Sequence, residues 1–405
     1  MGNDRIIYIR TDGNSQIASG HLVRCISIAQ ACRSLGMDVC FLVSDSESCR
    51  LLRELSDTQK QSERHPSACP DADEHLSGSI TIIQLKTAQY DNLEKELPEV
   101  ISLLTSARQT SASNPDTKQI VYLTDSYFVT EKYLSSLSAF LKTAYMDDLR
   151  AFDYPVNLII NYDLIPSAEL PAYQSAYRKA QHLLLGASYT PLRSQFLHRQ
   201  ITVKEQLTDI LVTTGGSDPF HFCLDFLAHL DRRLKCNAGH CQTSGISKAA
   251  HSRSEARKSI PVSSVTFHIV IGKLNTDREK LWQIAGSLPC LRLHENVSDM
   301  ASLMEKCDMA VSAAGTTLYE LCALGVPSIS FTMADNQLTA AKAFDNSGTI
   351  PCAGDIRTDK ESVLETIFHF MENCSIQKRK AASDAMHRLV DGKGSLRIAS
   401  ALKEL

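Results

Sequence analysis

Short apolar runs rich in β-branched residues recur along this chain, and amphipathic stretches with the period of helices separate them. The runs are RIIYIR (5–10), DVCFLV (38–43), ITIIQL (80–85), QIVYLTD (119–125), LKTAYMDD (141–148) and VNLIINY (156–162). After a polar link come DILVTTGGSD (209–218), VTFHIVIGK (265–273), LRLHENV (291–297), DMAVSAAG (308–315) and VPSISFTM (326–333). Between them lie stretches such as HLVRCISIAQACRSL (21–35), FCLDFLAHLDRRL (222–234) and TTLYELCALG (316–325). Strands this short and apolar, without strict alternation, belong to parallel sheets covered by helices on both faces. The fold class is therefore α/β. A length of 405 residues gives two such doubly wound, Rossmann-like sheets. The break falls near 197–208, which sets domains at 1–200 and 201–405, with the last helix free to return to the first domain.

Composition narrows the functional classes. Hydrophobic residues make up 43% and charged residues 22%, with a formal charge of −4. That balance is ordinary for a globular protein and does not point to nucleic acid. No apolar run is long enough to cross a bilayer. The start, MGNDRIIYIR, lacks the basic and long apolar regions of a signal peptide. Thirteen cysteines, odd in number and scattered, read as reduced thiols of a cytoplasmic protein. Three polar stretches, 56–79, 106–118 and 236–262, read as surface insertions. The third holds Cys236, His240, Cys241 and His251, whose spacing fits no common zinc site.

Three motifs carry chemistry. TDGNSQIASGHLVRC (11–25) joins a strand to a helix through Gly13 and Gly20, with His21 at the helix start. Such a junction lies at the carboxyl edge of an α/β sheet, where ligands bind. A turn whose histidine only caps the helix would look the same. LVTTGGSDP (211–219) ends a strand in Gly215, Gly216 and Ser217, which can cradle an anion through bare amides and a hydroxyl, although the lysine of a Walker loop is missing. SAAGTTLYELCALG (312–325) places Ala314, Gly315, Thr316 and Thr317 at a helix start, with Glu320 in the first turn able to hold a ribose diol. Capping and the helix dipole explain Thr316 and Glu320 equally well. ADNQ (334–337) offers Asn336 and Gln337 as neutral sugar contacts. DSY (125–127) and MDDL (146–149) end strand-like runs, where Asp and Tyr suit a cleft, although a strand-ending aspartate often only caps a helix. LLLGASYTPLRSQF (183–196) sets Tyr189, Arg193 and Phe196 near the break between domains.

Taken in order, these motifs resemble one family along roughly 10–50, 120–235 and 265–350. It is the UDP-2,4-diacetamido-2,4,6-trideoxy-β-L-altropyranose hydrolases of pseudaminic acid biosynthesis, relatives of the lipid II N-acetylglucosaminyltransferase. The resemblance implies a GT-B fold, two Rossmann-like domains facing a cleft. It implies UDP in the C-terminal domain: Glu320 on the ribose, Gly215, Gly216, Ser217 and Ala314–Thr317 on the diphosphate, and the Val297 backbone at uracil. It further implies sugar contacts from Asp12, Tyr127, Tyr189, Arg193, Asn336 and Gln337, with His21 as the base that directs water at the anomeric carbon with inversion. UDP is already a good leaving group, so what hydrolysis needs is a positioned base. No metal or cofactor is called for, and the expected partner is the UDP-sugar alone, bound by a monomer. Family members commonly carry glycine where this chain has Asn14 and Ala18. Rival readings are a GT-B glycosyltransferase, a hydrolysing UDP-sugar 2-epimerase, a non-catalytic nucleotide-sugar-binding module and a nicotinamide dehydrogenase.

Overall fold

The computed structural model describes residues 5–14, 17, 19–63, 80–112, 119–237 and 264–405. The chain divides into two compact units, Met1–Arg199 with Leu389–Leu405, and Gln200–Arg388.

The first unit is built on seven parallel strands: β1 (Arg5–Thr11), β2 (Asp38–Val43), β3 (Ile80–Gln84), β4 (Gln119–Asp125), β5 (Lys142–Met146), β6 (Leu158–Asn161) and β7 (His182–Leu185). Their order in the sheet is β3-β2-β1-β4-β5-β6-β7. Alternate residues of each strand point to opposite faces, and both faces are apolar. Ile7, Ile9, Phe41, Leu123 and Ile160 face one core, with α1 (Gly20–Ser34) and α13 (Gly394–Glu404) packed on it. Tyr8, Leu42, Tyr122, Tyr145 and Ile159 face a second core, covered by α3 (Leu97–Ala112), α4 (Glu131–Ser138) and α5 (Leu170–Ala176). Helix α2 runs Ser46–Glu63. The polar stretches expected as insertions at 56–79, 106–118 and 236–262 thus begin inside helices, which continue to Glu63, Ala112 and Asn237. Residues 64–79, 113–118 and 238–263 lie outside the described residues, as do Ala18, His240, Cys241, His251 and the side chain of Cys236.

One buried polar network pins the first unit together. Arg10, fully buried near the end of β1, donates Nε and Nη2 to the two oxygens of Glu96, each at 2.8 Å, and Nη1 to Asp12 Oδ2 at 2.6 Å. Glu96 also accepts from the Tyr133 hydroxyl at 2.7 Å.

The second unit has six parallel strands: β8 (Asp209–Thr213), β9 (Thr266–Ile271), β10 (Leu291–Glu295), β11 (Met309–Ala313), β12 (Ser328–Thr332) and β13 (Cys352–Asp355). Their order is β10-β9-β8-β11-β12-β13. Helices α6 (Phe222–Asn237) and α11 (Lys360–Asn373) press Phe222, Phe226, Ile367 and Phe368 onto one face. Phe222 stacks on Phe331 at 4.0 Å between ring centroids. Full burial of a side chain of that size stabilises by about 1.5–3 kcal/mol. Helices α7 (Arg278–Ala285), α8 (Met300–Lys306), α9 (Thr317–Leu324), α10 (Asp335–Asn346) and α12 (Ile376–Leu389) complete the element order. Cys25, Cys32, Cys40, Cys307 and Cys322 are buried free thiols, small apolar fillers of these layers.

Candidate functional site

In each unit the strand order reverses between the first strand and its neighbour, β1 beside β4 and β8 beside β11. Loops leaving the carboxyl ends of such a pair diverge and open a crevice. The loop after β1 leads to His21, and β4 ends in Asp125.

Those two residues meet. His21 Nδ1 lies 2.7 Å from Asp125 Oδ1, both side chains being buried. Arg24, one turn along α1, donates Nε to Asp125 Oδ2 at 2.6 Å and Nη2 to Oδ1. The Cys25 thiol donates to Oδ2 at 3.2 Å. Burial pushes the Asp125 carboxyl up, but the charge of Arg24, then His21 and their hydrogen bonds, outweigh it and hold the group well below the usual carboxylate range. An ionised carboxylate only accepts, so Nδ1 carries the proton that faces it. The lone pair of the neutral ring is then on Nε2, the arrangement of a His–Asp general base.

Around this pair stands a second tier. The Tyr127 ring meets the His21 ring edge-on, centroids 4.7 Å apart. Its hydroxyl donates to Asp148 Oδ2 at 3.0 Å, and Arg24 Nη1 donates to the Tyr162 hydroxyl at 2.7 Å. Burial and the Asp148 carboxylate push the Tyr127 phenol up, which keeps it a proton donor. Asp163, at the end of β6, is pushed up to about 6 by burial and by Asp148.

Of the sequence-derived sugar contacts in the first unit, Tyr127 joins His21. Asp12 is turned inward: Oδ2 accepts from Arg10, and Oδ1 accepts the Ser44 N–H at 2.7 Å. Tyr189 and Arg193 follow β7, three strands from β4 in the sheet. The segment they occupy is the dock for α13. Ser395 Oγ donates to the Leu192 carbonyl at 3.0 Å, Arg397 Nη1 to the Ser188 carbonyl at 2.8 Å, and a Cβ on Gly394 would fall 2.1 Å from the Thr190 oxygen. Arg193 stacks over the buried Phe196 ring. Asn14 is not left-handed; its side chain accepts the Ile17 N–H and donates to Asp45.

In the second unit, Gly215, Gly216 and Ser217 follow β8, and Ala314, Gly315, Thr316 and Thr317 follow β11, on either side of the reversal. Asp218 takes the N–H groups of Phe222 and Cys223 at 2.8 and 2.9 Å, so α6 supplies its own anion. Thr316 stands at the start of α9, but no side-chain hydrogen bond caps that helix. Capping, an alternative reading of this threonine, is thus not what its hydroxyl does. Glu320 lies half-buried in the first turn. The Gly215–Gly216 turn is braced by the segment just after β9: Leu274 N–H donates to the Gly216 carbonyl at 2.9 Å, and a Cβ on Gly272 would lie 2.3 Å from the Gly215 oxygen. Only glycine allows that approach. Val297 follows β10 and is half-buried. Asn336 is exposed at the start of α10, whereas the Gln337 side-chain Oε1 accepts the Met333 N–H at 2.9 Å.

Among the described residues one histidine–glutamate group, His229, Glu361 and Glu365, has metal-ligand proximity. Its histidine is already engaged at both nitrogens, Nε2 with Glu365 at 2.8 Å and Nδ1 with Arg232 at 2.9 Å. The group is a polar clamp between α6 and α11.

Residues 211–394 match the glycosyltransferase family 28 C-terminal domain. This covers nearly all of the second unit and both of its carboxyl-edge loops. The chain is 25% identical over 232 residues to the Bacillus subtilis (strain 168) spore coat polysaccharide biosynthesis protein SpsG, covering 56% of this chain and 58% of that one. It is also 25% identical over 264 residues to a Helicobacter pylori protein described as pseudaminic acid cytidylyltransferase and UDP-2,4-diacetamido-2,4,6-trideoxy-beta-L-altropyranose hydrolase, 64% of this chain and 41% of that one. The match thus spans about half the length of these relatives. Among solved structures, Acinetobacter baumannii MurG aligns with 99% of this chain and 100% of its own, at a TM-score of 0.57 and 12% identity. UDP-GlcNAc 2-epimerase from Neisseria meningitidis aligns over 99% of this chain and 100% of its own, at a TM-score of 0.55 and 11% identity. The fold is GT-B, with two Rossmann-like units.

Sequence reading placed Asp125 only as a strand-ending aspartate suited to a cleft, gave it no role beside His21, and did not single out Arg24. DSY and GHLVRC contain both, yet only the tertiary pairing of β4 with α1 shows that they converge on His21.

Proposed function

We propose that this chain is a UDP-sugar hydrolase acting on a UDP-2,4-diacetamido-2,4,6-trideoxyhexose. The second unit would hold UDP through Gly215–Ser217, Ala314–Thr317 and Glu320, and the first would supply the base. The observation that carries the reading is the His21–Asp125 hydrogen bond, which leaves Nε2 as acceptor. In the proposed step Nε2 takes a proton from water as the water oxygen bonds to the anomeric carbon. The bond from that carbon to the diphosphate oxygen breaks, its electron pair leaves with UDP, and the configuration inverts. The hydrolase named in the Helicobacter pylori relative and the motif order support this substrate class.

A GT-B glycosyltransferase, transferring the sugar to an acceptor other than water, is favoured by the domain match itself. The two readings part in one experiment. The protein is incubated with the 2,4-diacetamido UDP-sugar and with UDP-GlcNAc, without acceptor, and UDP and free sugar are followed by NMR. Acceptor-independent release from the diacetamido substrate, abolished by His21→Ala while UDP still binds, is the expected result. No release without an acceptor would overturn the hydrolase reading, and full activity in the variant would remove His21 from the chemistry.

A further inference from the structure

A carboxylate beside a histidine does two things at once. It orients the ring, and its charge stabilises the imidazolium, which is no longer a base. Asp125 is buried and ionised, so a dyad made of these two residues alone would favour the protonated ring. The structure holds a third member. Arg24 grips the same carboxylate through two nitrogens, and its Nη2 is also 3.0 Å from His21 Nδ1. No hydrogen bond joins those nitrogens when Nδ1 donates to Asp125; the two N–H groups converge on Oδ1 side by side. Arg24 itself is pinned by the Tyr162 hydroxyl at 2.7 Å and by Asp148 Oδ2 at 3.4 Å.

The other groups around the ring do not replace this charge. Cys25 on α1 reaches Asp125 as a thiol whose ionisation burial opposes, then the Asp125 charge. Tyr127, after β4, is a neutral phenol. Asp148 and Asp163, after β5 and β6, add negative charge, and Asp12, after β1, is spent on Arg10 and Ser44. Among the described residues, Arg24 is the cation that contacts the dyad.

We propose that Arg24 is a positioning residue that balances the charge of Asp125, so that the carboxylate orients His21 without locking it as an imidazolium. This rests on the reading of His21 as the base, but its physical content can be measured without turnover. The ring signal of His21, assigned by its loss in His21→Asn, is followed against pH by NMR in the unliganded protein, in Arg24→Gln and in Arg24→Lys. Removing the cation favours the protonated ring, so the Arg24→Gln midpoint moves up by about 1–3 pH units. Arg24→Lys keeps the charge and stays near the unsubstituted protein. An unmoved midpoint in a folded Arg24→Gln protein overturns the proposal, as does a shift of a unit or more in Arg24→Lys. In the hydrolysis assay the acid limb of kcat/KM moves up with the ring midpoint in Arg24→Gln, while KM changes little. If no UDP-sugar is hydrolysed, the functional reading fails and the ring titration still decides the role of Arg24.

Discussion

Replacing Glu96 by glutamine tests the buried network of the first unit at one atom. In the native protein Oε1 accepts from Arg10 Nε and from the Tyr133 hydroxyl, while Oε2 accepts from Arg10 Nη2. Glutamine can keep the Oε1 pair, but its NH2 group then faces the guanidinium, donor against donor. Arg10 remains fully buried with Asp12 as its single counter-charge. Breaking one side of a buried ion pair costs about 3–5 kcal/mol, and the retained Asp12 contact places this case near 3. For a unit of this size each kcal/mol moves the midpoint by about 2–4 °C, so the expected drop is about 6–12 °C. Differential scanning calorimetry is the assay, because the second unit contains neither residue and its transition serves as an internal reference. A first-unit transition lowered by less than about 2 °C would refute the reasoning.

Two further substitutions probe other parts of the chain. Asp163 has its folded value raised to about 6, above the ordinary aspartate value of about 3.9. Between those limits the native state holds more protons than the unfolded one, so its contribution to stability falls as pH rises from about 4 to 6. Asp163→Asn should therefore gain about 1–3 kcal/mol over the native protein at pH 7 and little at pH 4; a difference independent of pH in thermal melts would contradict this. Gly272→Ala puts a methyl group 2.3–2.5 Å from backbone atoms of Gly215 and Gly216, so that turn must move. UDP affinity, read by calorimetric titration, should fall at least tenfold, about 1.4 kcal/mol, and unchanged affinity would separate that turn from the nucleotide.

The parallel sheets were legible because their central strands are continuous apolar runs, buried on both faces. Two of the four edge strands, β7 and β13, were less so. β7 (HLLL) opens the stretch placed near the break between domains and was not marked as a strand, and β13 (CAGD) has no β-branched residue and contains a glycine. Each has a neighbour on one side only, so local pattern alone has little to mark it. The helical extensions to Glu63 and Ala112 were hidden by polar composition, which fits a solvated helix as readily as a loop. At the site, glycine turns and the histidine were visible as motifs, since the chemistry demands those residue types locally. The pairing of Asp125 with His21 and Arg24 was not, since it is a contact between positions about a hundred residues apart in the chain. Asp12 shows the converse, a polar residue in a suggestive loop whose oxygens serve the fold.

Helix α13 completes the first unit last. Ile398, Ala399 and Leu402 belong to the same core as α1, yet they are made after the whole of Gln200–Arg388. On the ribosome the first unit emerges with that apolar face uncovered, while the second is contiguous and can fold as it appears. Once folded, the second unit holds Gln200 and Arg388 at a fixed separation, so α13 no longer has to close a long flexible loop. The inserted unit thus acts as a built-in brace for the final docking step.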